Sequence, residues 1–137
     1  MPYLQLDVNG TYPPESKRRL AVRMCETYAA VMAVDIRRIS VAIRECGDGA
    51  VWRMVNGEQA PVAVLMCDIR RGRSAEQRED IARRLIQDCV DVLGLHEDRL
   101  NVEFTQHAGD EMFHPALGGF SPEWTQEEAA PPPAAGQ

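Results

Sequence analysis

The chain predicts an α/β (α+β) fold: two consecutive βαβ repeats forming one four-stranded mixed sheet, with two helices on one face. Three observations carry this. Displacing the sequence against itself until Leu20 falls on Ile81 also lays Ala21, Met24, Cys25, Tyr28, Val31 and Met32 on Ala82, Leu85, Ile86, Cys89, Val92 and Leu93, every pair on one helical stripe. The same displacement carries Leu4, Leu6 and Val8 onto Leu65, Cys67 and Ile69, and Ile39, Val41 and Ile43 onto Leu100, Val102 and Phe104, which are period-two strand patterns. Finally, 137 residues are enough for one packed core and too few for two.

Each element has its own local signature. The first strand, 2–8, starts at Pro2 and alternates through Leu4, Leu6 and Val8. A helix over 14–33 begins at Pro13-Pro14-Glu15, where proline costs no helical hydrogen bond. A strand over 38–45 closes the first half, about 2–45. The segment 47–59 holds Gly-Asp-Gly and Asn56-Gly57 turns around Val51-Trp52-Arg53-Met54, and reads as a hairpin or flap. The second half, about 61–106, has a strand at 61–70, a helix at 74–93 and a strand at 99–106. Its helix starts at the capping sequence Ser74-Ala75-Glu76-Gln77 and stops at Gly94. One domain thus covers 1–124, and 125–137, rich in Pro and Ala with nothing large to bury, is predicted to be a disordered tail. Right-handed crossovers put both helices on the same face of the sheet. Yet Pro61 to Cys67 is apolar on both sides, as in a strand buried on both faces, so further copies of the chain are expected to cover the open one.

A net charge of −6 and a pI near 5.0 argue against nucleic acid and membrane surfaces as partners, both of which call for a basic field. No signal peptide or transmembrane run is visible, and the default expectation is a cytoplasmic protein. Cys25, Cys46, Cys67 and Cys89 have neither zinc-site spacing nor a disulfide pattern, His96 and His107 lack a metal-like partner and read as structural, and no glycine-rich nucleotide loop occurs. No cofactor or metal is expected.

Two features carry chemistry. Removal of Met1 leaves Pro2 with a free secondary amine at the end of an ordered strand, and an α-amino group titrates near 7.7–8.0, where an acid–base catalyst works well. After the third strand, Arg70-Arg71-Gly72-Arg73-Ser74 gathers three guanidiniums at a helix start. Arginine grips carboxylate through paired hydrogen bonds, and the helix dipole favours an anion there, so the expected partner is a small carboxylic acid. Positive charge beside Pro2 favours its neutral form and makes it a base near neutrality.

The βαβ repeat, the proline after Met1 and the Arg-x-Gly-Arg-Ser turn together resemble the tautomerase superfamily. Within it, Arg70 to Ala75, followed by Glu76-Gln77, is most similar to the cis-3-chloroacrylic acid dehalogenase group. The resemblance implies a homotrimer, with Pro2 as catalytic acid or base and with Arg70 and Arg73 holding the substrate carboxylate. The related malonate semialdehyde decarboxylases use an Arg-x-Arg pair, which Arg71 and Arg73 equally satisfy, so both pairs stay open. Tyr28 stands where the dehalogenases carry a histidine, Glu103 replaces a tyrosine, and His114 replaces the water-activating glutamate. Asp35 lies one residue from the acidic position of the decarboxylases.

The leading expectation is therefore keto–enol tautomerisation of a small carboxylic acid, with Pro2 as general base. The alternative is a hydratase, hydrolytic dehalogenase or decarboxylase of an unsaturated or β-keto acid, in which Pro2 donates a proton; where water adds, Glu103, Glu111 or His114 would have to serve as the second base. A third reading is a ferredoxin-like module that binds a ligand without turnover. Trp52 and Phe113 are candidates for walling the site against water.

Overall fold

The computed structural model describes residues 2–121; Met1, Trp124 and the expected tail lie outside the described residues. In chain order the elements are β1 (Tyr3–Val8), α1 (Pro14–Met32), β2 (Ser40–Glu45), β3 (Trp52–Val55), β4 (Glu58–Pro61), β5 (Ala63–Arg70), α2 (Ala75–Leu93), β6 (Leu100–His107), β7 (Phe113–His114) and β8 (Gly119–Phe120). Short 3-10 turns cover Ile36–Arg38, Glu97–Arg99, Gly109–Glu111 and Pro115–Leu117.

Each helix forms where the sequence supplies both stripe and stops. Pro14 opens α1, and Ala33 ends it in the left-handed region at φ 54°. In α2, the Ser74 hydroxyl accepts from the Gln77 backbone N–H at 3.1 Å while the Gln77 side-chain oxygen Oε1 accepts from the Ser74 N–H at 3.3 Å, a reciprocal cap. Gly94 ends α2 at φ 71°, a conformation glycine adopts without a Cβ clash.

The sheet order is β2-β1-β5-β6. Within each half the strands run parallel, β1 with β2 and β5 with β6, and the halves join through an antiparallel β1–β5 pair that sets Tyr3 opposite Asp68, Leu4 opposite Cys67 and Leu6 opposite Leu65. Leu4, Leu6, Val8, Leu65, Cys67 and Ile69 are wholly buried beneath both helices, against Leu20, Met24, Met32, Ile81, Leu85 and Cys89. Each of these leucine, isoleucine, valine and methionine side chains stabilises the fold by about 1.5–3 kcal/mol. The other residues of these strands face the uncovered side, where β5 presents Val64 and Met66, both half-buried.

The repeat runs further than the strand–helix–strand units. The displacement that lays Leu20 on Ile81 also relates the starts of α1 and α2, Pro14 and Ala75, and of the two 3-10 turns at Ile36 and Glu97. It then carries Trp52, which opens β3, onto Phe113, which opens β7, and Glu58, which opens β4, onto Gly119, which opens β8. The hairpin β3–β4 turns at Asn56 and Gly57, both at positive φ, as a tight turn between twisted strands requires. It is pinned by Asn9, whose amide nitrogen donates to the Val51 carbonyl at 2.9 Å and whose oxygen accepts from the N–H groups of Ala50 and Val51 at 2.9 and 2.8 Å.

Leu65 lies at the centre of the buried row. Leu65→Ala is expected to cost about 2–5 kcal/mol through lost burial and the cavity left behind. Urea denaturation should show this as a lower midpoint with an unchanged slope.

Candidate active site

Antiparallel pairing of β1 with β5 fixes what surrounds the start of the chain. Continued beyond Tyr3 and Asp68, the register sets Pro2 against Ile69 and turns its nitrogen toward the end of β5, where Arg70 stands. Pro2 is buried, and its carbonyl accepts from the Ser40 N–H at 3.1 Å, which anchors it to β2 on the other side.

The segment after β6 closes this end of the sheet. It leaves β6 where the Arg71 N–H donates to the His107 carbonyl at 2.8 Å, and it reaches the opposite edge, where Arg38 Nη2 donates to the Leu117 carbonyl at 3.1 Å. It therefore crosses the ends of β5 and β1. Phe113 and Phe120, with ring centroids 5.0 Å apart in an edge-to-face pair, hold β7 and β8 together within it.

Tyr28 comes from α1 and is 3% exposed. Burial pushes its phenol well above the ordinary range, opposed by the positive charges of Arg73 and Arg70. These two guanidiniums thus lie within electrostatic reach of Tyr28, whereas Arg71 is exposed and is tied to β6 through its backbone. The neighbouring Cys67 thiol is pushed up to about 12 by burial, which leaves it no nucleophile near neutrality.

The remaining candidates divide. His114 lies in the crossing segment, half-buried, and its Nδ1 is buried with no hydrogen-bond partner among the described residues. The Glu111 carboxylate accepts from the Ala108 N–H at 2.9 Å and so caps its own turn. Glu103 lies on the uncovered face beside Met66, accepts from the Asn101 amide at 3.1 Å, and stands well back from His107 at the sheet end, about 13 Å along the strand. Within one chain it is not brought to Pro2. Asp35 caps the first 3-10 turn and pairs with Arg37, whose hydrogen bonds hold its carboxyl down to about 2. Trp52 belongs to the hairpin at the opposite end of the sheet, next to Asn9, so only Phe113 of the two expected wall residues lies at the Pro2 end.

Two side chains with no catalytic role expected from the sequence also stand here. Arg38 is half-buried, with Nη1 buried and unpartnered among the described residues. His107 is the register neighbour of Arg70, and its Nε2 lies 2.6 Å from Asp68, which also accepts from the Thr105 hydroxyl at 2.6 Å. Only the β5–β6 register reveals that pairing. Arg38 had a signal in the repeat, because it matches Arg99.

No protein-family model matches the chain. Among curated proteins it is similar to the D-dopachrome decarboxylase of Xenopus tropicalis, 28% identical over 106 residues that span 76% of this chain and 85% of that one. A solved member of the cis-3-chloroacrylic acid dehalogenase family superposes with a TM-score of 0.77 at 22% identity, covering 92% of this chain and 87% of its own. A fused 4-OT solved as a symmetric trimer superposes with a TM-score of 0.74 at 19% identity, covering 87% and 94%. The fold is that of the tautomerase superfamily. The resemblance carried by Pro2 and the Arg70–Ala75 turn thus extends over nearly the whole described chain, and the relatives with this fold include enzymes. No helix among the described residues is long and apolar enough to cross a membrane.

Tyr28 so placed holds a neutral phenol at working pH, a hydrogen-bond donor rather than a base. Alkaline absorbance titration of the native protein minus the Tyr28→Phe variant is expected to show no phenolate from this residue at about pH 10, the usual midpoint for a phenol.

Proposed function

We propose that the protein is a small-molecule tautomerase whose general base is the amine of Pro2 after removal of Met1. What carries the reading is the antiparallel register, which turns the nitrogen of a buried Pro2 toward the strand end bearing Arg70. Arg70 and Arg73, rather than Arg71, act as the carboxylate-binding pair, since these two share the environment of Tyr28. Their charges favour the neutral amine. The neutral nitrogen removes a proton from the carbon beside the substrate carbonyl; the electron pair of that C–H bond forms the new C=C bond as the carbonyl π pair moves onto the oxygen, where an arginine or the Tyr28 hydroxyl stabilises the enolate. Return of the proton at another atom completes the isomerisation and restores the amine. The segment 108–121 excludes water from the reacting atoms, which strengthens these electrostatic interactions.

Likeness to a protein named as a decarboxylase favours a second reading, loss of carbon dioxide from a β-keto acid with proton delivery from Pro2. The sign of the pH dependence separates the two. Rate rising with pH through the Pro2 pKa marks a base, and rate falling through it marks an acid.

The uncovered face of the sheet and the trimeric state of the fused 4-OT support a homotrimer with an active site in each chain. Pro2→Ala is expected to abolish turnover of small enol and keto acids while leaving the circular dichroism spectrum and carboxylate binding intact; undiminished turnover excludes the amine mechanism. Arg73→Gln should raise KM by roughly tenfold or more, the loss of one charge-assisted contact to the carboxylate.

A further inference from the structure

At the opposite end of the sheet lies an open cavity of about 720 Å3, lined by Val8, Val55, Val62, Leu95 and Arg99 among others. The repeat explains why it exists. Applied to the Pro2 site, the displacement that lays Leu20 on Ile81 relates Pro2 to Ala63, Arg70 to Asn9, Arg73 to Tyr12 and Arg38 to Arg99, and all four of these counterparts line the cavity. The hairpin β3–β4 closes it through Val55, as the segment holding β7 and β8 closes the other end. The second cavity is thus the pseudo-symmetric partner of the candidate active site.

Catalytic parts are missing from this copy. Ala63 lies within the chain, so its nitrogen is an amide and not an amine. Asn9, in place of Arg70, spends both ends of its side chain on the hairpin. Tyr12, in place of Arg73, brings no charge. What survives is apolar walling and one cation. Arg99 is half-buried, and its guanidinium makes no hydrogen bond or ion pair among the described residues, although its backbone N–H closes the 3-10 turn on the His96 carbonyl at 2.9 Å. The other polar groups of the lining are His96, whose Nδ1 accepts from the Asp98 N–H at 3.3 Å, and the exposed Asp98.

We propose that this cavity is a second, non-catalytic binding site for a small apolar carboxylic acid, with the carboxylate on Arg99 and the hydrocarbon body against Val8, Val55, Val62 and Leu95. Its size and mixture of apolar wall with one fixed positive charge, beside the exposed Asp98 at the rim, match what small-molecule sites provide. A chain that turns over one carboxylic acid at the Pro2 end would hold another at the far end without consuming it.

The test is an NMR titration of the 15N-labelled, fully assembled protein with 4-phenylbutanoate, and with the neutral 4-phenylbutanamide as control. The expected result is saturable shifts of the Gly94, Leu95 and Arg99 amides with the acid and much weaker ones with the amide. Arg99→Gln should weaken this binding by about tenfold or more, as loss of a charge-assisted pair does, while Arg99→Lys retains part of it and kcat/KM at the Pro2 site stays unchanged. Absence of far-end shifts, as when a neighbouring subunit fills the cavity, overturns the proposal, and so does equal binding of acid and amide or of native protein and Arg99→Gln. These shifts are read at equilibrium and need no turnover, so an inactive Pro2 site leaves the test intact.

Discussion

Antiparallel pairing of β1 with β5 governs both the core and the site, because neither half of the chain is complete without it. Each half, taken alone, is two parallel strands under one helix and has an unpaired strand edge. Joining them through Tyr3–Asp68 and Leu6–Leu65 makes one sheet and brings both helices over one core. Since the strands run in opposite directions, the beginning of one half lies at the end of the other. The same contact that completes the core therefore brings the start of β1 to the end of β5, which leads into the turn opening α2, and the start of β5 to Asn9.

This two-fold arrangement accounts for the division of labour between the ends. Both have a helix start, a strand end, a 3-10 turn carrying an arginine and a covering hairpin or strap. Asp35 and His96 even perform the same task, each accepting a backbone N–H to cap its turn. The two ends differ in that one holds Pro2 and the other has Ala63, within the chain, at the matching position. The Ala63 end has Asn9 where the Pro2 end has Arg70, and the Asn9 amide secures the hairpin.

Much of this is legible in the amino-acid sequence alone. Matching Leu20 to Ile81 exposes the repeat, since stripe and alternation survive substitutions such as Tyr28 against Cys89 that keep a side chain buried. Capping at Ser74 and the Asn56-Gly57 turn are legible because their physics is local. The direction of the β1–β5 pairing is not, because period-two patterns look alike in parallel and antiparallel strands. The reach of the repeat into the hairpins is also hidden. There the match is one of backbone shape, with Trp52 set against Phe113 and little alternation to align. Seeing that Trp52 and Phe113 serve opposite ends of the molecule requires the topology.

Whether the Pro2 nitrogen handles the proton is read most directly from its 15N chemical shift, followed through pH in protein confirmed by mass to lack Met1. The expected midpoint lies below the ordinary α-amino range of about 7.7–8.0, held there by Arg70 and Arg73, and coincides with the rising limb of kcat/KM. A nitrogen that titrates within or above that range, while the rate changes at a different pH, would rule out Pro2 as the base.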